Sequence, residues 1–229
     1  IDYAVKIKPD LVLHAGDLFD SVRPTNRAIT VAIQQILRLS KENIPFIVIS
    51  GNHETPKLKE TGNIFTIFEH LKHVYPIHDN RYEIVSLQTK NETVMIHANP
   101  QCQSPKEFDA NFKKITLDRN ADYNVLIAHG AVAGIKEFRM NEFNELFIPV
   151  KNIQQNFDYI ALGHIHKRQV LQENPPVVYS GSLERLDFSD EDDEKGFYVI
   201  DIQSDVKTSK KHTVFDFHPT NGRRFLTIA

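Results

Sequence analysis

The chain has 229 residues, 41% of them hydrophobic and 25% charged, with a formal net charge of −3. That composition fits a soluble globular protein with a core large enough to hold a rigid site. It excludes a membrane-spanning class, since no apolar run approaches ~20 residues, and a strongly basic nucleic-acid binder, so any DNA contact must come from a local patch. The single cysteine, Cys102, rules out an intrachain disulfide and fits a reducing, cytoplasmic compartment.

Apolar runs alternate with helical patterns through the first half. Leu11 to Leu13 read as a buried strand. Pro24 and Thr25 mark the start of a helix, whose face is Ile29, Ala32, Ile33, Ile36 and Leu37. Phe46 to Ile49 form a second strand, and Ile64 to Leu71 a second amphipathic helix. A hairpin is expected over Tyr82–Leu87 and Thr93–His97, then a helix between Pro105 and Leu117. Val125–Ile127 and Tyr159–Leu162 read as further buried strands.

From Gln169 onward short strands dominate: Val177–Tyr179, Phe197–Ile202, Val214–Phe217 and Phe225–Ile228. The polar stretch Ser204–His212 reads as a linker or hairpin tip, and the acidic run Ser189–Glu194 as a solvated turn. Strands alternating with helices indicate an α/β sheet, and the β-rich tail a second sheet packed on the first.

Four of these strands run into polar residues. Val12 and Leu13 lead to Gly16-Asp17, and Phe46–Ile49 to Gly51-Asn52-His53-Glu54. Val125–Ala128 lead to His129-Gly130, and Tyr159–Leu162 to Gly163-His164-Ile165-His166. Ligands of open α/β sheets bind beyond the carboxyl ends of the strands. Carboxylate, amide oxygen and imidazole together suit manganese, iron or zinc, and none of these ligands is a cysteine, against a closed structural zinc site. Each piece has an ordinary reading alone: a Gly-Asp turn, a tight turn with an exposed imidazole, a surface His-x-His. Four such pieces, each at a strand end, make coincidence a poor account. The isolated histidines, among them His14, His73, His78 and His97, read as surface or satisfied core residues.

Gly16-Asp17-Leu18-Phe19-Asp20, Gly51-Asn52-His53-Glu54, Ala128-His129-Gly130 and Gly163-His164-Ile165-His166 resemble successive motifs of calcineurin-like metallophosphoesterases. Tyr179 to Arg185, Glu194-Lys195-Gly196-Phe197 and Arg223-Arg224-Phe225 resemble the SbcD-type repair nucleases, which include the nuclease of the meiotic-recombination complex. The resemblance implies a double β-sandwich flanked by helices, in α-β-β-α layers. It implies a nuclease domain over residues 1–212, lacking its first strand, and the start of a small DNA-capping domain over 213–229. It implies two divalent metal ions of the manganese type. Asp17 would bridge them, Asn52, His129 and His164 would complete one site, and His166 would bind the other. His53 would assist the leaving oxygen, and Arg23 and Arg185 would contact phosphate. The implied partners are DNA, an SbcC-type coiled-coil ABC ATPase and a second copy of the chain.

Two departures stand out. The family's opening Asp-x-His motif has no match before Asp17, which leaves the second metal site incomplete. Asp20 stands where some repair nucleases carry a second histidine. Two competing readings are a phosphomonoesterase of the same superfamily and a degenerate fold used as a scaffold. The superfamily's protein phosphatases carry arginines where this chain has Ser21 and Ser50, which favours a diester substrate. A scaffold has no reason to keep five ligands together with His53.

Overall fold

The computed structural model describes residues 1–89, 92–133, 146–153, 156–204 and 211–227. After a short helix α1 (Asp2–Ile7) the chain enters a parallel three-stranded sheet, β1 (Val12–His14), β2 (Phe46–Ile49) and β3 (Val74–Ile77), in that order. Between β1 and β2 runs α2 (Asn26–Lys41). Its cap is Thr25, whose hydroxyl accepts the Ala28 N–H at 3.2 Å, and Arg38 and Lys41 sit in the last turn, where the helix dipole favours cations.

The second sheet has six strands in the order β10-β11-β9-β6-β5-β4. These are β4 (Glu83–Thr89), β5 (Glu92–Asn99), β6 (Tyr123–His129), β9 (Tyr159–Gly163), β10 (Gln169–Glu173) and β11 (Pro176–Tyr179). A small pair, β7 (Ala131–Val132) and β8 (Phe147–Ile148), follows β6. Helices α3 (Pro105–Phe112) and α4 (Val150–Ile153) belong to the far side of this sheet.

The layering follows from the two-residue period of strands. Ile47 and Ile49 face Ile96, Val125, Ile127 and Ala161 in the core between the sheets. Their neighbours Phe46 and Val48 turn the other way, against Ile36 and Leu39 of α2 and against Phe65 and Phe68. Leu126, Ala128, Ile160 and Leu162 pack outward on Phe108 and Phe112 of α3. The α-β-β-α arrangement is therefore the expected one. Within it, β1 pairs only with β2, and its other edge has no strand partner among the described residues.

Several boundaries differ from the sequence expectation. Residues 64–71 form a 3-10 helix over Ile64–Phe68 rather than an α-helix, because the i, i+3 pair Phe65 and Phe68 carries the burial. Helix α3 stops at Phe112, where bonds from Lys114 N to Asn111 O and from Ile115 N to Phe112 O tighten the turn and bring Ile115 into the core. Residues 225–227 are not a strand. Thr227 is fastened by the Glu191 carboxylate at 2.8 and 2.7 Å instead.

Strands β12 (Gly196–Ser204) and β13 (Lys211–Pro219) pair as a hairpin, whose residues Tyr198, Ile200 and Ile202 pack on the core between the sheets. Strand β13 runs across the boundary expected at residue 212, so residues 213–219 are its return limb. The expected hairpin tip falls largely on residues 205–210, outside the described residues. No described helix is long and apolar enough to cross a membrane.

Candidate metal centre

The parallel order of β1, β2, β6 and β9 puts their carboxyl ends on one rim, two from each sheet. Asp17, Asn52, His129 and His164 converge there. The Asn52 amide oxygen lies 2.9 Å from His129 Nε2 and 3.1 Å from His164 Nδ1. Asp17 Oδ2 lies 3.2 Å from His129 Nε2. One candidate ligand atom from each of Asp17, His129 and His164 falls within 4.8 Å of the others. Residues from four strand ends across 147 positions of sequence thus share one small volume, and the donor set fits a divalent cation.

The geometry around the cluster is fixed by close backbone approach. His129 is wholly buried, and its Nδ1 donates to the Ala15 carbonyl at 2.7 Å, which fixes the tautomer and leaves Nε2 facing the cluster. A Cβ on Gly163 would stand 1.8 Å from that same carbonyl oxygen. Asp17 and His164 both adopt positive φ, 54° and 94°. Such backbone is uncommon for a residue with a side chain and persists only where the surroundings enforce it.

Glu54, whose role the sequence did not disclose, provides part of that enforcement. Its fully buried carboxylate accepts the backbone N–H of Gly51 at 2.9 Å, Phe19 at 2.6 Å and Asp17 at 3.2 Å, tying the loop after β1 to the turn after β2. Burial and the neighbouring Asp17 charge push its pKa up to about 7, against the N–H bonds that pull it down. Burial also pushes the Asp17 carboxyl up. His129, by charge and hydrogen bond, together with the His53 N–H, more than offsets this and holds Asp17 well below the usual range. For His129 burial presses the pKa down, and the Asp17 carboxylate raises it overall.

His53 follows Asn52 but diverges from it. Its backbone N–H donates to Asp17 Oδ1 at 3.1 Å, and its partly exposed imidazole has Nδ1 3.3 Å from Asp20 Oδ1. His166 does not join the Asp17, His129 and His164 group. Arg23 is exposed on the loop before α2, with no hydrogen-bond or ion-pair partner for its guanidinium among the described residues. Arg185 is engaged elsewhere, donating to the carbonyls of Asp190 (3.1 Å), Glu191 (3.2 Å), Asp193 (2.7 Å) and Arg223 (3.2 Å). A phosphate oxygen would have to displace those carbonyls.

Some residues read as bland are not. In the acidic run, Asp190 is buried and, with Asp193, holds the Lys195 ammonium. His14 Nδ1 is closed off without a hydrogen-bond partner, and burial presses its pKa down to about 4. His97 is a satisfied core histidine, between Tyr82 and Asn124.

A four-layer α/β fold with a carboxylate, amide and imidazole cluster at its strand ends defines a metallophosphoesterase, and residues 1–168 match the calcineurin-like phosphoesterase family. The chain belongs to that family. It is 31% identical over 217 residues to the DNA double-strand break repair protein Mre11 of Methanococcus maripaludis, covering 90% of this chain and 55% of that one. It is 30% identical to the protein of the same name from Methanocaldococcus jannaschii, covering 86% and 53%. It is also 28% identical to the uncharacterized metallophosphoesterase YhaO of Bacillus subtilis, covering 88% and 48%. The chain spans about half the length of the curated relatives it matches.

Proposed function

We propose that the chain carries the catalytic core of a metal-dependent DNA phosphodiesterase that processes broken DNA ends. The observation that carries this reading is the convergence of Asp17, Asn52, His129 and His164 with His53 beside them. In it those four residues hold one divalent cation, and Asp17 with His166 contributes to a second, of the manganese type. Two such cations lower the pKa of a bound water and balance charge on the attacking and leaving oxygens of an in-line displacement. Asp17 is held ionised by its neighbours, as a bridging carboxylate must be. His53 stands one residue beyond the cluster, open to solvent on one side, where it can meet the leaving oxygen as proton donor or charge stabiliser. Arg23 is a free guanidinium on the Asp17 loop for a substrate phosphate.

Diester chemistry is favoured over monoester chemistry by Ser50, which is wholly buried, and Ser21, neither of which offers a guanidinium fork. DNA as substrate, an SbcC-type ATPase as partner and a dimeric state rest on the likeness to the repair nucleases, as does a capping domain beyond the hairpin. The test is cleavage of linear duplex DNA, and of bis- and mono-p-nitrophenyl phosphate, by the full-length protein in manganese and in excess chelator. Chelator-sensitive cleavage of DNA and the diester is expected. Activity in chelator, or efficient hydrolysis of the monoester alone, overturns the reading.

A further inference from the structure

Lys195 has a side chain with no solvent exposure. An ammonium carries three N–H donors, and buried charge is tolerated only where each is met. Three acceptors surround Nζ: Asp190 Oδ1 at 3.0 Å, Asp193 Oδ2 at 3.2 Å and the backbone carbonyl of His166 at 2.9 Å. That carbonyl also accepts the Ser182 N–H at 3.0 Å, and a Cβ on Gly181 would lie 2.7 Å from it. Lys195 is fixed in turn. Its own carbonyl accepts the Thr220 N–H at 2.8 Å, and Arg185 braces the backbone of residues 190–193. Asp190 Oδ2 takes the Leu186 N–H at 2.9 Å.

We propose that Lys195, with Asp190 and Asp193, is the positioning device for His166, clamping its backbone carbonyl so that the imidazole is held for a metal ion. The inference rests on His166 being a metal ligand, as proposed above. His166 needs such a device more than its companions do. His129 is locked by the Ala15 carbonyl and His164 contacts Asn52, whereas His166 lies three residues past the end of β9, in a turn, and outside the main cluster. Groups behind a ligand that fix its orientation are worth ~10–100-fold in metal affinity.

The experiment is manganese titration of the 229-residue chain labelled with 15N-histidine, following paramagnetic broadening of each imidazole signal, with His166 assigned by His166→Gln. Two variants are compared with wild type: Lys195→Met, and Lys195→Met combined with Asp190→Asn and Asp193→Asn. The second removes the unpaired buried carboxylates and restores the melting temperature if the first is merely unstable. In both, the manganese concentration that half-broadens His166 is expected to rise about tenfold while that for His129 stays within about twofold. A folded triple variant whose His166 midpoint moves less than about threefold shows a structural clasp only and overturns the inference. If wild-type His166 never broadens while His129 and His164 do, the ligand assignment itself falls, and the inference with it.

Discussion

The Asp20 carboxylate stands 3.3 Å from Nδ1 of His53. It occupies the position where a second histidine had been the comparison in sequence, and the two side chains reach each other across 33 positions of chain. A carboxylate on one imidazole nitrogen fixes the ring and favours a proton on it, leaving Nε2 toward substrate. Replacing Asp20 with Asn is therefore expected to lower kcat by about tenfold with KM little changed, the signature of an interaction that matters in the transition state. Steady-state cleavage of a diester by the two proteins checks it, and an unchanged kcat refutes it.

His53→Ala should lower the cleavage rate by ~10²–10⁴-fold while manganese binding persists. The variant keeps the backbone N–H that Asp17 Oδ1 accepts, so the cluster beneath is undisturbed. Calorimetric manganese titration beside the rate measurement separates the two properties. Loss of metal in the variant would make His53 a ligand instead.

Glu54 predicts a pH dependence of stability in the metal-free protein. Its pKa is raised to about 7, above the 4.5 of an ordinary glutamate. A raised carboxyl pKa means that the folded state holds the proton more tightly. The associated stability is present below pH 4.5 and is lost as the pH rises through about 7. The upper bound is on the order of 3 kcal/mol across that window. In excess chelator, denaturant unfolding between pH 4.5 and 7.5 should show wild type losing stability relative to Glu54→Gln. Parallel curves for the two proteins would remove the basis of the prediction.

Gly163 sets the distance between the two sheets at the rim. A methyl there would lie 1.8 Å from Ala15 O and 2.9 Å from His129 Nδ1. Gly163→Ala is expected to break the His129–Ala15 bond, destabilise the fold by roughly 2–4 kcal/mol and weaken metal binding. Gly62→Ala is the control. That glycine has φ +67° but open space around it, so only backbone strain of about 1 kcal/mol applies. Equal effects of the two substitutions would contradict the steric account.

Metal stoichiometry follows from the unequal donor sets. Four side chains converge on the first position, whereas His166 stands outside it. The 229-residue chain is expected to bind one manganese ion at least tenfold more tightly than any second. Two equivalent tight sites by calorimetry would show a different ligand set.

The sequence by itself determined the layers and the identity of the site. Alternation in β2 and β6 dictates that Ile47 and Ile127 face one core while Val48 and Leu126 face others, because strand side chains alternate by geometry alone. Polar residues after four apolar strands are likewise a local pattern, so Asp17, Asn52, His129 and His164 were legible. Only the tertiary structure decided what depends on the approach of distant backbones. Glu54 tying Asp17 to Gly51, Asp20 reaching His53, and Asp190 and Asp193 folding inward on Lys195 are such pairings. A carboxylate has the same side chain in a solvated turn as in a buried clamp. What distinguishes the two is which N–H groups and cations the fold brings within about 3 Å, and that distance is set by packing between segments rather than by neighbours in sequence.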